Sequence, residues 1–398
     1  MILFTHPTGN ANVRQALIAF EEAGLLGCFS TALAVPSGCP FLSRRSYPVS
    51  WGKTCINPWR EALRLASTRN GLKGLTRPES GWASIDRVYQ TLDKKNSRML
   101  KSPKYNAIYA YEDGALESFR AAKRMNKAAI YELPIAYGPY ARRLLEQEAK
   151  IRPEWAITLG GLHDSGDKLI RKKKELEAAD KVIVPSQFVL DSLPDTIRQS
   201  RPCHVVPYGA DTDSDRWMAI SEEKVSDGPL KVLFVGSLSQ RKGLANVLEA
   251  ATQLHGKSME LHLLGSPLAP MIFYRKVYPH FTYHPPCPNA QVKSLMQACD
   301  VLVLPSLVEG RALVQLEALS CGLPLLVTPN AGGSDLVIEG QTGFMLQPSS
   351  TESLVERLAW LMNNRERLPA MRRACLAMAK KMAWVHYRKE LVDVVRGL

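Results

Sequence analysis

No stretch of this chain approaches 18 uninterrupted apolar residues, so a membrane-crossing helix is not expected. The opening Met1-Ile2-Leu3-Phe4-Thr5-His6-Pro7 has neither the basic region nor the apolar length of a secretory signal, and it reads as a first β-strand. Cysteine is sparse: eight residues (28, 39, 55, 203, 287, 299, 321, 375) with no C-x-x-C pair and no metal-ligand spacing. That argues against a zinc module or a disulfide scaffold. Their apolar surroundings suit reduced, buried thiols in a cytoplasmic protein. Low-complexity tracts and short sequence repeats are also missing, which argues against linkers and solenoids.

What is in excess is positive charge, +13 over 398 residues. Residues 1–207 hold 31 Lys and Arg against 20 Asp and Glu, and so carry +11 of it. A basic face of this kind suits nucleic acid, an anionic membrane surface or an acidic ligand. Neither a base-stacking motif nor a recognition helix accompanies the charge, so nucleic acid is not expected as a partner. Runs such as Arg171-Lys172-Lys173-Lys174 read by themselves as solvated helix face.

Apolar runs and helical periodicity alternate along the second half. Lys231–Gly236, Leu261–Gly265, Val301–Pro305 and Leu325–Thr328 read as strands, with helices at 244–251, near 289–298 and from about 312 to 321. The first half alternates less clearly. Strands are expected at Met1–Thr5, Ala107–Ala110, Ala128–Glu132 and Val182–Pro185, with helices at 11–24, 115–126, 138–150 and 168–179. Continuous apolar strands alternating with helices indicate parallel sheets covered on both faces. Such sheets bind ligands beyond the carboxyl ends of their strands. Residues 36–105 show no firm topology, although they hold Trp51, Trp59 and Trp82. A domain boundary is expected near 207–229, where the sequence turns polar and ends in Gly228-Pro229, and a single helical stretch near 370–397 closes the chain.

One segment carries chemistry. In Leu304-Pro305-Ser306-Leu307-Val308-Glu309-Gly310-Arg311-Ala312-Leu313, a strand ends, a loop turns at Glu309-Gly310 and a helix begins. The first amides of a helix lack internal partners and carry the positive end of its dipole, which seats a phosphate or a sugar oxygen. Gly310 would let backbone approach a ligand closely. Taken alone, Glu309 and Glu317 read as a helix-start residue and a solvated helix residue, and Arg241-Lys242 as a loop pair.

The wider order of residues changes that. Phe234-Val235-Gly236-Ser237-Leu238-Ser239-Gln240-Arg241-Lys242-Gly243, the Glu309…Glu317 spacing, Glu317-Ala318-Leu319-Ser320-Cys321-Gly322-Leu323-Pro324 and Asp335–Phe344 together resemble the family 4 (group 1) glycosyltransferases over about 120 residues. The resemblance implies a GT-B fold, an α/β architecture of two Rossmann-like domains facing across a cleft. Residues 1–207 would bind acceptor and 208–379 the nucleotide-sugar donor, with 380–398 returning as a helix to the first domain. It implies a retaining transfer of sugar from a nucleotide-diphospho-sugar to a glycan or lipid-linked acceptor, as in cell-surface polysaccharide, lipopolysaccharide or glycolipid synthesis. It implies no cofactor and no metal. The expected location is cytoplasmic, peripheral on the inner membrane face through the basic half. A catalytically silent sugar-binding protein of the same fold is the alternative.

Residue roles follow from the same resemblance. Arg241 and Lys242 would neutralise the donor diphosphate, since the leaving nucleotide gains charge as the glycosidic bond breaks. Glu309 would contact the donor sugar, and Glu317 the ribose hydroxyls. The backbone of Gly310, Arg311, Ala312 and Leu313 would hold sugar and phosphate oxygens. Gly236 and Ser237 would border the phosphates from one domain and Gly9 and Asn10 from the other. Two departures stand out: Ser237 replaces a frequent arginine, and Ala312 a frequent glycine. On the acceptor side, Glu112, Asp113 and Glu132 end strands that should face the cleft, as should Tyr109 and Tyr131. No histidine occupies 132–140, which leaves His163 and His6 as candidates by residue type.

Overall fold

The computed structural model describes residues 1–36, 45–212 and 228–397. Cys39 lies outside them. Among the described residues, two parallel sheets form two α/β domains. The first contains β1 (Ile2–Thr5), β2 (Leu26–Thr31), β3 (Thr54–Ile56), β4 (Ala107–Tyr111), β5 (Ala128–Glu132), β6 (Lys181–Val184) and β7 (Cys203–Val205), in the spatial order β3-β2-β1-β4-β5-β6-β7. The second contains β8 (Leu230–Val235), β9 (Met259–Leu264), β10 (Phe281–His284), β11 (Val301–Leu304), β12 (Leu325–Val327) and β13 (Gly343–Met345), in the order β10-β9-β8-β11-β12-β13. The central strands β1, β4, β6, β11 and β12 are buried along their whole length, which is why they read as unbroken apolar runs.

In each sheet the strand order reverses at one place, between β1 and β4 and between β8 and β11. The loops leaving these four strands (6–10, 112–115, 236–243 and 305–312) therefore open at the topological switch points, where doubly wound sheets hold ligands.

The expected closing helix is two helices, Leu368–Lys381 and Trp384–Arg396. Between them the chain pairs with the interdomain crossing: Ala210 N–H donates to the Met382 carbonyl (2.5 Å) and Trp384 N–H to the Ala210 carbonyl (3.2 Å). Gly209 lets this happen, because a Cβ there would sit 2.5 Å from the Trp384 Cα. The last helix then lies on Ala11–Glu22 of the first domain, with Arg388 Nη1 bonded to Gln15 Oε1 (2.7 Å).

The domains also meet directly. Trp155 of the first is buried against Phe273 and Tyr274 of the second. Gln240 donates to Glu148 (2.7 Å), and Arg152 pairs with both Glu148 (2.9 Å) and Glu249 (2.8 Å).

Candidate active site

Three charged side chains meet at the switch point of the second sheet. Lys242 Nζ lies 2.6 Å and Arg241 Nη1 2.8 Å from the same Glu309 oxygen. Glycine makes this geometry available. Gly236 has φ 142°, and a Cβ there would stand 2.7 Å from Lys242 Cδ, so the lysine side chain crosses directly over it. Gly243 has φ 76° and brings the basic loop against the carbonyl of Pro305, where a Cβ would be 2.1 Å away. Main-chain bonds lace the loops together: Leu307 N–H to the Arg241 carbonyl (2.8 Å), and Arg241 Nη1 to the Val308 carbonyl (2.8 Å). Burial alone would raise the Glu309 carboxyl, but the Lys242 and Arg241 charges outweigh it and hold it below the usual glutamate range.

The Glu309-Gly310 loop is also clamped by the first domain. The Glu309 carbonyl accepts from Ala136 N–H (3.3 Å), and the Gly310 carbonyl from Ser186 Oγ (2.6 Å). Gly310 has a role other than the one expected. A Cβ on it would fall 1.7 Å from the Pro134 carbonyl oxygen, so the close approach it permits is to the first domain's own backbone. Arg311 turns away from the loop: its buried guanidinium pairs with Asp335 (2.7 Å) and reaches the Tyr208 carbonyl (3.2 Å). The Ala312 amide is already bonded to the Ala331 carbonyl (3.1 Å), which leaves Leu313 at the head of the helix Leu313–Ser320. Ser237 Oγ lies 3.2 Å from Ser239 Oγ in the loop below Lys242.

Glu317, about one turn into that helix, is separate from this triad. It accepts from Asn289 Nδ2 (2.9 Å) and lines a cavity of about 530 Å³ with Gln15, Asp211, Leu313 and Trp384. Burial raises its carboxyl, against the Asn289 bond and the nearby Lys293. Lys293, paired with Asp211 at 3.0 Å, was not legible as a site residue because it follows no motif. Ala11, the first residue after the Gly9-Asn10 loop, reaches the same cavity. The Asn10 side chain caps the helix Ala11–Glu22 by accepting from Val13 N–H (3.1 Å), and Tyr47 covers Gly9.

The acceptor-side candidates do not come together. Glu132 is 1% exposed and does not face the cleft. Its carboxylate accepts from Tyr109 (2.5 Å), Tyr208 (2.8 Å) and Asn12 (3.3 Å), knotting the first sheet to the interdomain crossing. Burial raises it and those hydrogen bonds oppose the rise. Tyr109 and Tyr131 are likewise buried, so a strand end here points into the core. Glu112 and Asp113 sit elsewhere, around Lys172 at 3.1 and 3.9 Å, and burial lifts the Glu112 carboxyl to about 7 against the Lys172 charge. Asp113 and Lys168 line a second cavity of about 420 Å³ with Glu79, Asp86, Arg87 and Ser165. His163 is on the exposed surface, and His6 is buried, held by Thr8 and pushed down to about 4 by burial.

Comparison with known proteins fits this geometry. Residues 215–381 match the sequence family described as glycosyl transferases group 1. The matched residues include Arg241, Lys242, Glu309 and Glu317. Relatives include the D-inositol 3-phosphate glycosyltransferase of Nocardia farcinica, 25% identical over 257 residues, which are 60% of this chain and 57% of that protein. The alpha-maltose-1-phosphate synthase of Mycolicibacterium smegmatis is 25% identical over 277 residues, 62% of this chain and 70% of that one. The chain thus spans less than two thirds of the first of these relatives. Among solved structures, sucrose-phosphate synthase of Thermosynechococcus elongatus superposes with TM-score 0.68 at 17% identity, covering 100% of this chain and 98% of that one. HepE of Anabaena bound to UDP-glucose superposes with TM-score 0.64 at 17% identity, covering 100% and 99%. The two sheets and the returning helix therefore make up the GT-B fold.

Proposed function

We propose that this protein is a retaining, metal-independent glycosyltransferase that moves a sugar from a nucleoside-diphosphate donor to a glycan or lipid-linked acceptor in the synthesis of a cell-surface glycan. The observation that carries the reading is the Arg241–Lys242 pair laid over Gly236 and facing Glu309. Two fixed cations at a sheet switch point match the charge that develops on a departing diphosphate, and they supply it without a bound ion. Glu317 and its cavity, about one turn into the helix that follows the Glu309-Gly310 loop, suit the ribose. UDP-glucose bound to the GT-B neighbour HepE supports a nucleotide-sugar as donor class.

A panel of UDP-, GDP-, ADP- and dTDP-sugars tests the donor assignment. One base series should raise the melting temperature, since ligand near 100 times its dissociation constant adds about 2.7 kcal/mol to the folded state. A panel in which no member shifts it would sink the reading.

We assign the acceptor to the 420 Å³ cavity, whose mixed charges suit a hydroxyl-rich or phosphate-bearing molecule. The proton of the acceptor hydroxyl goes to the donor phosphate on the same face, so no protein base is required. Replacing Glu112, Asp113 or His163 singly should accordingly lower kcat by less than about 10²-fold. Glu132→Ala should act differently. It strands three buried donors, and we expect destabilisation of roughly 2–4 kcal/mol, read as a lower melting temperature. A larger kcat loss at one of the first three, with donor binding intact, would instead identify a protein base.

A further inference from the structure

The segment between β3 and β4 contains a helix whose faces are reversed. In Trp59–Arg69 the buried residues are Glu61 and Ser67, both polar. Glu61 is held by Arg45 and by Arg64 (2.7 Å). Trp59, Ala62, Leu65 and Ala66 are exposed, Trp59 at 80%, while Leu63 is half-buried. Leu72 and Leu75 follow it on the exposed side. An ordinary surface helix turns its apolar stripe to the core and its polar residues to water. Nothing among the described residues covers this stripe.

Charge identifies what would cover it. Residues 57–77 hold Arg60, Arg64, Arg69, Lys73 and Arg77 against the single acid Glu61, which is already neutralised in the interior. At one end Arg60 lies over the ring of the exposed Trp82, 4.3 Å from its centroid. An outward apolar stripe with tryptophan at its edge and arginine and lysine around it is the composition that beds into the headgroup region of an anionic bilayer. Tryptophan favours that boundary, and each nearby cation adds attraction to the negative surface.

We propose that the helix Trp59–Arg69, with Leu72 and Leu75, is a membrane-docking face that sets the protein on an anionic lipid surface. The inference rests on the proposed lipid-linked acceptor for its purpose, but its chemistry is that of this face alone. It also moves the expected membrane contact from the basic half as a whole to one reversed helix.

The test is co-sedimentation of the full chain with phosphatidylcholine vesicles containing about 30 mol % phosphatidylglycerol, at low and high salt. Wild-type protein should bind these vesicles, release as the salt is raised, and ignore pure phosphatidylcholine. The double variant Trp59→Ser/Leu65→Ser should bind on the order of tenfold more weakly or less. Both side chains are exposed, so its melting temperature and its nucleotide response should match the wild type. Arg69→Glu/Lys73→Glu should remove the salt-sensitive part. The proposal is overturned by wild-type protein that stays in solution at low salt, or by a double variant that binds as well. It is also overturned if the wild type forms a dimer that the double variant cannot, since the face then belongs to a second copy. Failure of every nucleotide to bind would count against the transferase reading and leave the vesicle result standing.

Discussion

Glu309→Gln is expected to bind nucleoside diphosphates about ten- to a hundredfold more tightly than the wild type while losing at least about 10²-fold in sugar transfer. The reason is competition for the same cations. In the present structure the Glu309 carboxylate lies within 2.8 Å of both Lys242 and Arg241, where the proposed diphosphate would place its oxygens. A donor therefore has to displace an internal anion, and the glutamate it displaces is released toward the sugar. Glutamine keeps the shape and removes the charge. Two half-buried cations without a carboxylate attract a diphosphate more strongly, at an effective dielectric well below that of water. Transfer falls because the carboxylate is no longer there to favour the charged transition state over the ground state. Calorimetric titration in a phosphate-free buffer reads the affinity. A variant that binds the diphosphate no better than wild type would show that Glu309 does not hold the site in reserve.

The exchange has a defined pH window. The Glu309 carboxyl is held below the usual glutamate value, so the stability of the triad is present above that value. It is lost only as pH falls through the depressed one. From about pH 5 to 8 the Glu309 carboxylate stays ionised, and the difference between wild type and Glu309→Gln should be flat across that range. A wild-type affinity that climbed steeply on going from about pH 7 to 6 would implicate another group.

The core strands were readable in the sequence because they are buried on both faces, and the loops that carry Arg241, Lys242 and Glu309 because glycine, proline and charge punctuate the ends of those strands. The region 36–105 was opaque for a physical reason. The helix Ile85–Met99 buries Asp86, Asp93 and Asn96 beside Val88 and Leu92. These polar groups have fixed partners: Asn96 bonds Thr5 Oγ1 (2.8 Å), and Asp93 accepts from the amides of Glu117 and Ser118 and pairs with Arg171 (2.8 Å). A helix whose inner face is largely polar shows only a weak apolar stripe, and the helix before it carries apolar residues on its outer side. The burial of Glu132 was hidden for a related reason. A strand-end carboxylate looks the same in sequence whether it faces a cleft, as Glu309 does near β11, or three buried donors, as Glu132 does after Tyr131. Only the partners, more than 70 residues away in the case of Tyr208, decide which.

Lys242→Ala should be the most damaging single change to catalysis, lowering kcat/KM by about 10³-fold or more, equivalent to about 4 kcal/mol of lost transition-state stabilisation. Lys242 is the nearer of the two cations to Glu309 and the one whose stem is threaded over Gly236, so its ammonium is placed by the backbone and not by chance packing. Arg241 cannot replace it, because one of its nitrogens already holds the Val308 carbonyl. Lys242→Arg should rescue little, since a planar fork does not fit where a single linear chain passes over a glycine. Gly236→Ala gives an independent arm. Its new methyl would stand 2.7 Å from Lys242 Cδ at a backbone φ of 142°, so the lysine must swing away although its charge is retained. That variant should lose activity by roughly ten- to a hundredfold, with only a modest fall in melting temperature. Release of free nucleotide from the donor sugar identified by the thermal panel measures all three without a known acceptor. If Gly236→Ala and Lys242→Ala both hydrolysed that donor at the wild-type rate, the basic pair would not be where the leaving group is stabilised. If only Lys242→Ala were impaired, the charge would matter but its path over Gly236 would not.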